Sequence, residues 1–275
     1  MALSGPPPDG AASTAAARPP AEVVWHDLEC GTYGADLPLW RELAELAAPR
    51  RGSQPILDVG AGTGRVTLDL ARRGHRMSAL DINPVLLAAL AARAEGARVA
   101  TVCADARTFE LDERGFALVL MPMQTLQLLD GAAARGAFFA RARAHMRPGA
   151  VLACAIVTEL EPFDCQAGDL GPSAETAVVA GRRYLSRATR VRVRGHAVAI
   201  ERERRIVDAT GSAPHAPDDV RGEPASAERD VVELARVSVS RLQREAARAG
   251  LASAGTREIP ATEEHVGSAV VMLSA

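Results

Sequence analysis

Three acids and three glycines are the residues of this chain whose types and spacing can do chemistry. Ile56-Leu57-Asp58-Val59-Gly60-Ala61-Gly62-Thr63-Gly64-Arg65 reads as an apolar strand ending in an acid, then a tight turn, then a helix start. Glycine reaches positive φ without a steric cost and lets a ligand approach the backbone closely. The spacing here is D-x-G-x-G-x-G. A dinucleotide turn reads G-x-G-x-x-G, and its third glycine falls where this chain has Arg65. A large side chain there would crowd a pyrophosphate, so the turn suits a nucleoside without phosphates. Asp81 and Asp105 each close a later apolar run. A carboxylate at such a place can accept hydrogen bonds from both hydroxyls of a ribose. The pair Asp105-Ala106 can take an adenine amino group on the acid and a ring nitrogen on the next amide.

Such acids need strand ends to hold them side by side, and the pattern supplies these. Strands are expected at residues 55–60, 76–80, 99–104, 116–121 and 151–158, with helices at 64–73, from Asn83-Pro84 to about residue 93, and at 132–145. Met146-Arg147-Pro148-Gly149 is expected to turn the chain into strand five. Asp36 can cap a helix running to about residue 48. Apolar strands separated by amphipathic helices predict an α/β fold with a doubly wound, mostly parallel sheet. Two final strands, near 252–259 and 266–273, would bring it to seven.

After strand five the pattern changes. Residues 184–193 and 196–207 alternate apolar and charged side chains around Gly195, the signature of an antiparallel hairpin with one wet face. A third such strand is expected at 231–237. An inserted antiparallel sheet is therefore predicted over about residues 160–238, with a Pro- and Gly-rich mobile loop at 210–229. Arg182, Arg183, Arg187, Arg190, Arg192 and Arg194 face Glu201, Glu203 and Asp208, which reads as a salt-bridged sheet face rather than an anion site. Ser240-Arg241-Leu242-Gln243 resembles a capping box opening a helix that Gly250 closes. Residues 1–20, mostly Ala, Pro, Gly and Ser, are expected to be a disordered tail, leaving 21–275 as the folded part.

Composition narrows the classes. The net charge is −2, hydrophobic residues are 48% and charged residues 24%, so a globular protein is expected, with no field favouring nucleic acid or an anionic membrane. The basic side chains are all Arg. Four cysteines form no C-x-x-C pair; Cys103 and Cys154 lie in apolar runs and read as core residues. A reduced, cytoplasmic protein without a membrane span or a metal site is expected.

Together the glycine turn, Asp81 and Asp105-Ala106 make the chain resemble the class I S-adenosylmethionine-dependent methyltransferases of small-molecule type, over about residues 21–275. The resemblance implies that Gly60, Ala61 and Gly62 pass under the methionine part of the cofactor, with Asp58 holding its amino group directly or through water. It implies that Asp81 holds the ribose, and that Asp105 and Ala106 hold the adenine. Gly64, Ile82, Met121, Gln124 and Tyr33 complete the expected cofactor-binding set. A sulfonium carries an already activated methyl, so transfer is an in-line displacement in which proximity and orientation supply much of the rate.

The acceptor is less legible. The segment Met121-Pro122-Met123-Gln124-Thr125-Leu126-Gln127 follows strand four, beside the expected methyl group. It lacks the Asn- or Asp-Pro-Pro-aromatic motif of amino-adenine methylases. Met123 stands where cytosine C5 methylases place a cysteine, and the double-Glu loop of protein arginine methylases is not evident. Gln124 and Gln127 offer amides at the mouth. The run Trp25-His26-Asp27…Tyr33…Asp36-Leu37-Pro38-Leu39-Trp40 is similar to the lid of small-molecule amine and amino-sugar N-methyltransferases, which usually carry a Tyr ahead of the Asp where this chain has Trp25. Trp25 and Trp40 can equally pack that segment on the core. Gln124, Tyr33 and His26 are the candidates for a catalytic role, and His265 could reach the site. The expected activity is methyl transfer to a small molecule, nitrogen slightly ahead of oxygen. The alternatives are an RNA or protein methylase and a non-catalytic S-adenosylmethionine-binding module. The inserted sheet is a candidate homodimer face.

Overall fold

The computed structural model describes residues 18–50, 52–208, 226–262 and 265–275. Most of the expected tail and of the expected loop at 210–229 lies outside those residues; 226–229 belong to a strand. The described residues open with α1 (Ala21–His26), which widens into a π turn over Asp27–Gly31, and α2 (Leu37–Ala47). Then come β1 (Pro55–Val59), α3 (Arg65–Arg72), β2 (Arg76–Asp81), α4 (Pro84–Arg93), β3 (Val99–Cys103) and β4 (Phe116–Met121). After a single 3-10 turn, Thr125–Leu128, α5 (Gly131–His145) runs directly into β5 (Met146–Ile156).

Between β5 and α6 (Val239–Arg248) lies the inserted unit: β6 (Phe163–Asp164), β7 (Glu175–Val179), β8 (Arg182–Arg194), β9 (Ala197–Asp208) and β10 (Ser226–Ala235). The antiparallel strands β11 (Ala252–Ile259) and β12 (Ser268–Ser274) end the chain.

The main sheet has the order β11-β12-β5-β4-β1-β2-β3. Pairings among β1 to β5 are parallel, and β12 runs antiparallel to β5. The doubly wound, seven-stranded architecture is thus present, with the order reversing between β1 and β4. That reversal opens a crevice at the carboxyl ends of those strands, where such sheets take ligands. One apolar layer packs Phe138, Phe139 and Leu242 of α5 and α6 on one face; the other packs Trp40 and Leu43 of α2 with Val66 and Leu70 of α3 on the opposite face. A buried pair, Arg135 with Glu245 at 2.7 and 2.9 Å, ties α5 to α6.

The second sheet has the order β10-β9-β8-β6, with β7 also on β8. Its arginines are ion-paired: Arg190 with Glu201, Arg187 with Glu203 and Arg182 with Asp208, as the sequence suggests, while Asp164 of β6, not anticipated, takes Arg190 and Arg192.

Four local expectations are corrected. The turn at Met146–Gly149 is an irregularity inside β5, where the β4–β5 register shifts and Gly149 takes φ 73°. The cap of α6 is Ser238, whose Oγ accepts from the Arg241 amide at 3.3 Å, and not Ser240. Asp36 makes no side-chain cap on α2, because its carboxylate is taken by Trp40 and Arg65. Cys103 is exposed, because β3 is the sheet edge; Cys154, in central β5, is buried.

Candidate functional site

The turn after β1 is built by its glycines at φ 75°, 53° and 96° for residues 60, 62 and 64. Its amides are used internally: Gly60 and Ala61 donate to the Leu80 carbonyl at 2.8 and 3.1 Å, Gly64 to that of Ala61 at 2.9 Å, and Gly62 to Oδ2 of Asp81 at 2.8 Å. These amides are therefore spent within the fold, and the space beside Gly60 and Gly62 is taken by the Thr125 and His26 side chains. Asp58, at the end of β1, is 1% exposed. Thr67 donates to its Oδ2 at 2.6 Å, and Oδ1 has no partner among the described residues. Burial pushes its carboxyl up to about 6, against the pull of Thr67 and Arg65.

Asp81 ends β2, accepting from Gly62 and, through Oδ1, from the Asn83 amide at 2.9 Å. Asn83 in turn caps α4. Each oxygen keeps capacity for a further donor. Ile82 beside it is 66% exposed, an apolar platform at the mouth of the crevice. Asp105 follows β3, and both its oxygens are gripped by the Arg107 guanidinium, which holds its carboxyl below the usual range. Ala106 is half-buried against the core.

The N-terminal segment lies across this turn. His26 lies where a Cβ on Gly62 would be, and Thr125 where one on Gly60 would be. Thr63 donates its hydroxyl proton to Asp27 at 2.7 Å, so His26 Nδ1, 3.2 Å from that same oxygen, is the donor of its pair. Nε2 then carries the lone pair above Gly62. Burial lowers the His26 pKa from 6.5, the nearby Asp27, Asp81 and Glu29 opposing that shift. Arg93 of α4 clamps Asp27, and Glu22 accepts from Asn83. On its other side α1 packs Trp25 on Tyr184 of β8, and Glu29 takes Arg204 of β9 at 2.7 Å.

At the end of β4, Met123 adopts φ 55°, a left-handed backbone unusual for a side-chain-bearing residue. Gln124 follows, half-buried. Three expected site residues are held by other contacts, though Gln127 still lines a cavity beside the end of β5. Met121 is fully buried, its side chain packed in the α5 layer because central β4 is covered on both faces. Gln127 is spent as a staple: Nε2 donates to the carbonyls of Val157 and Ala235, and Oε1 accepts from Val157. Tyr33 is 6% exposed in the α2 layer, its ring under Arg65 and against His265. An aromatic held there packs the N-terminal segment and is no lid over the crevice; His265 goes with it.

Residues 56–149 match the family described as a methyltransferase domain. The fold resembles a sugar N-methyltransferase from Streptoalloteichus sp. at TM-score 0.67 and 16% identity, over 100% of this chain and 98% of that one. It resembles an amino pentose methyltransferase from Micromonospora echinaspora at 0.65 and 22%, over 92% and 97%. A 1,6-didemethyltoxoflavin-N1-methyltransferase from Burkholderia thailandensis aligns at 0.52 and 19%, over 91% and 80%. No curated protein sequence matches. Residues 56–149 are therefore a methyltransferase domain, in a chain whose fold is that of S-adenosylmethionine-dependent methyltransferases.

The side chains of this methyltransferase fit its cofactor. A buried carboxylate oxygen without a partner suits the methionyl ammonium, and Asp81 with exposed Ile82 suits the ribose and the adenine face. Asp105, both of whose oxygens are held by Arg107, would have to share or release that guanidinium to accept from an adenine amino group. When bound, the cofactor supplies the activated methyl. Asp58, Asp81 and the glycine turn would orient it, and α1 with its π turn would keep water from the glycine side.

Sequence reading missed Thr67, Thr125 and the Asp27–Thr63–His26 chain. Thr67 carried a usable signal: it stands in the first turn of the helix after the glycines, where a short hydroxyl can reach back to the strand's terminal acid.

Proposed function

We propose that this methyltransferase alkylates a nitrogen of a small-molecule acceptor bound between the carboxyl ends of the main sheet and the inserted sheet. The observation that carries this reading is a cavity of about 240 Å³ in that place. Val157, Val198 and Leu234 give it apolar walls, and exposed Glu159, Glu161 and Arg236 also line it. The volume lies below the roughly 300–1,000 Å³ of drug-sized ligand sites, so a compact acceptor fits and a polymer strand does not. Two carboxylates against one guanidinium favour an amine over an acid. The similarity to a sugar and an amino pentose methyltransferase supports the same class.

In this reading Gln124, three residues before Gln127 in the cavity wall, is the candidate contact to the acceptor, and no base is assigned, since His26 sits against Gly62 and does not line the cavity. A neutral amine attacks with its own lone pair, so no strong base is needed. Four free thiols fit a reducing, cytoplasmic setting.

The test is a labelled-methyl transfer screen over amines, phenols and carboxylic acids, with products identified by mass. Amines are expected to be labelled first. Label on phenols alone would overturn nitrogen transfer, and cofactor binding without turnover on any acceptor would favour a non-catalytic module. Salt-sensitive retention on RNA would favour an RNA methylase.

A further inference from the structure

The two oxygens of Asp58 have unlike settings. Oδ2 accepts the Thr67 hydroxyl at 2.6 Å, whereas Oδ1, equally enclosed, meets no donor among the described residues. Thr67 is itself 0% exposed, on the first turn of α3. A hydroxyl has one proton to give. With that proton committed to one oxygen, every carboxylate orientation except the half-turn that exchanges the two equivalent oxygens leaves both of them bare. Neither charged neighbour donates to Asp58, since Arg65 is engaged by Asp36 and Asp81 by two backbone amides; Arg65 and the Thr67 amide pull the Asp58 carboxyl down and Asp81 pushes it up.

We propose that Thr67 is a positioning residue for the cofactor's amino group, holding Oδ2 of Asp58 so that Oδ1 is the acceptor presented to the ammonium. This rests on the reading of Asp58 as the group that receives that amine, and names the side chain that aims it. Thr67 is a part of the site through Asp58 alone and touches no substrate.

The experiment measures binding of S-adenosylhomocysteine, and of its analogue without the α-amino group, by calorimetry from mildly acid to alkaline pH. Thr67→Val is expected to weaken S-adenosylhomocysteine about ten- to a hundredfold at neutral pH, and the deaminated analogue not at all. The deficit should shrink toward alkaline pH, because a buried carboxylate that has lost the Thr67 hydroxyl and keeps only the Thr67 amide nearby holds a proton more tightly. Thr67→Ser should restore wild-type behaviour. Equal losses for both ligands, or no loss for either, would overturn the proposal. Should the valine variant not fold, Thr67→Cys set against Thr67→Ser makes the same comparison, a weak donor against a strong one. A wild-type protein that binds neither ligand would instead bring down the cofactor reading, and this inference with it.

Discussion

Arg65 turns away from the glycine turn it follows and closes on Asp36 with two hydrogen bonds, at 2.5 and 2.7 Å. Its Nη1 also donates to the Tyr33 carbonyl at 2.8 Å, and its guanidinium lies 5.2 Å from the Tyr33 ring centroid. Trp40 Nε1 completes the Asp36 shell at 2.7 Å. The side chain that argued against a pyrophosphate in the sequence therefore has a positive task, which is to fasten the N-terminal segment to the helix opening the cofactor turn.

Breaking this pair from one side should be costly. The two side chains are 10% and 1% exposed, so Asp36→Ala leaves a nearly buried guanidinium without its partner. A loss of about 3–5 kcal/mol is expected in denaturant unfolding. Replacing Asp36 and Arg65 together by apolar residues should cost less than the sum of the single changes. Additive losses would show that the pair is not coupled.

Asp81→Ala should weaken S-adenosylhomocysteine binding by about 1.5–3 kcal/mol, because charge-assisted hydrogen bonds to the ribose are lost. The same change frees the Gly62 and Asn83 amides, so a smaller fall in Tm is also expected. Unchanged affinity in calorimetry would remove Asp81 from the site.

The raised pKa of Asp58 makes a stability prediction with a definite sign. Its ordinary value is 3.8 and burial puts it at about 6. The native state therefore binds the proton more tightly, and this group's contribution is present below about pH 3.8 and lost as pH rises to about 6. The loss is roughly 3 kcal/mol. Asp58→Asn should then raise the Tm of the ligand-free protein at pH 8, converge on wild type in acid, and bind the cofactor poorly. Wild-type cofactor binding should weaken as pH falls through about 6, since an ammonium needs the ionised carboxylate. Thermal scans across that range check the first outcome and calorimetry the second.

Much of this was written locally. The strands β1 to β4 sit where apolar runs and their terminal acids place them, and Asn83-Pro84 opens α4 with a side-chain cap. The glycine turn and the three acids need only that local order plus the switch in strand order to converge. What stayed hidden depends on partners distant in sequence. The segment after α1 is held by Glu29 pairing with Arg204, 175 residues later, and α1 itself by Trp25 on Tyr184. β6 and β7 are short strips whose place is set by β8. Asp36 and Gln127 have the types and positions of a cap and a site residue, yet Arg65 and the Val157 backbone claim them. No local pattern distinguishes such uses, because the competing partner arrives only on folding.

The fit of Gly60 against Thr125 gives a two-residue test of the turn. Gly60 has φ 75°, and an added Cβ would collide with the Thr125 methyl and hydroxyl. Thr125 is held there by its own hydroxyl, which donates to the Pro122 carbonyl at 3.0 Å, so it cannot swing aside freely. Gly60→Ala should therefore cost about 1–2 kcal/mol for the left-handed backbone and a further 1–3 kcal/mol or so for overpacking. Thr125→Ala removes both colliding atoms and should return the second part, leaving the first. Cofactor affinity should follow the same order, falling in Gly60→Ala and partly recovering in the double variant. Denaturant unfolding and calorimetry on the two single variants and the double one decide this. A double variant no better than Gly60→Ala alone would mean that Thr125 does not lie over the turn.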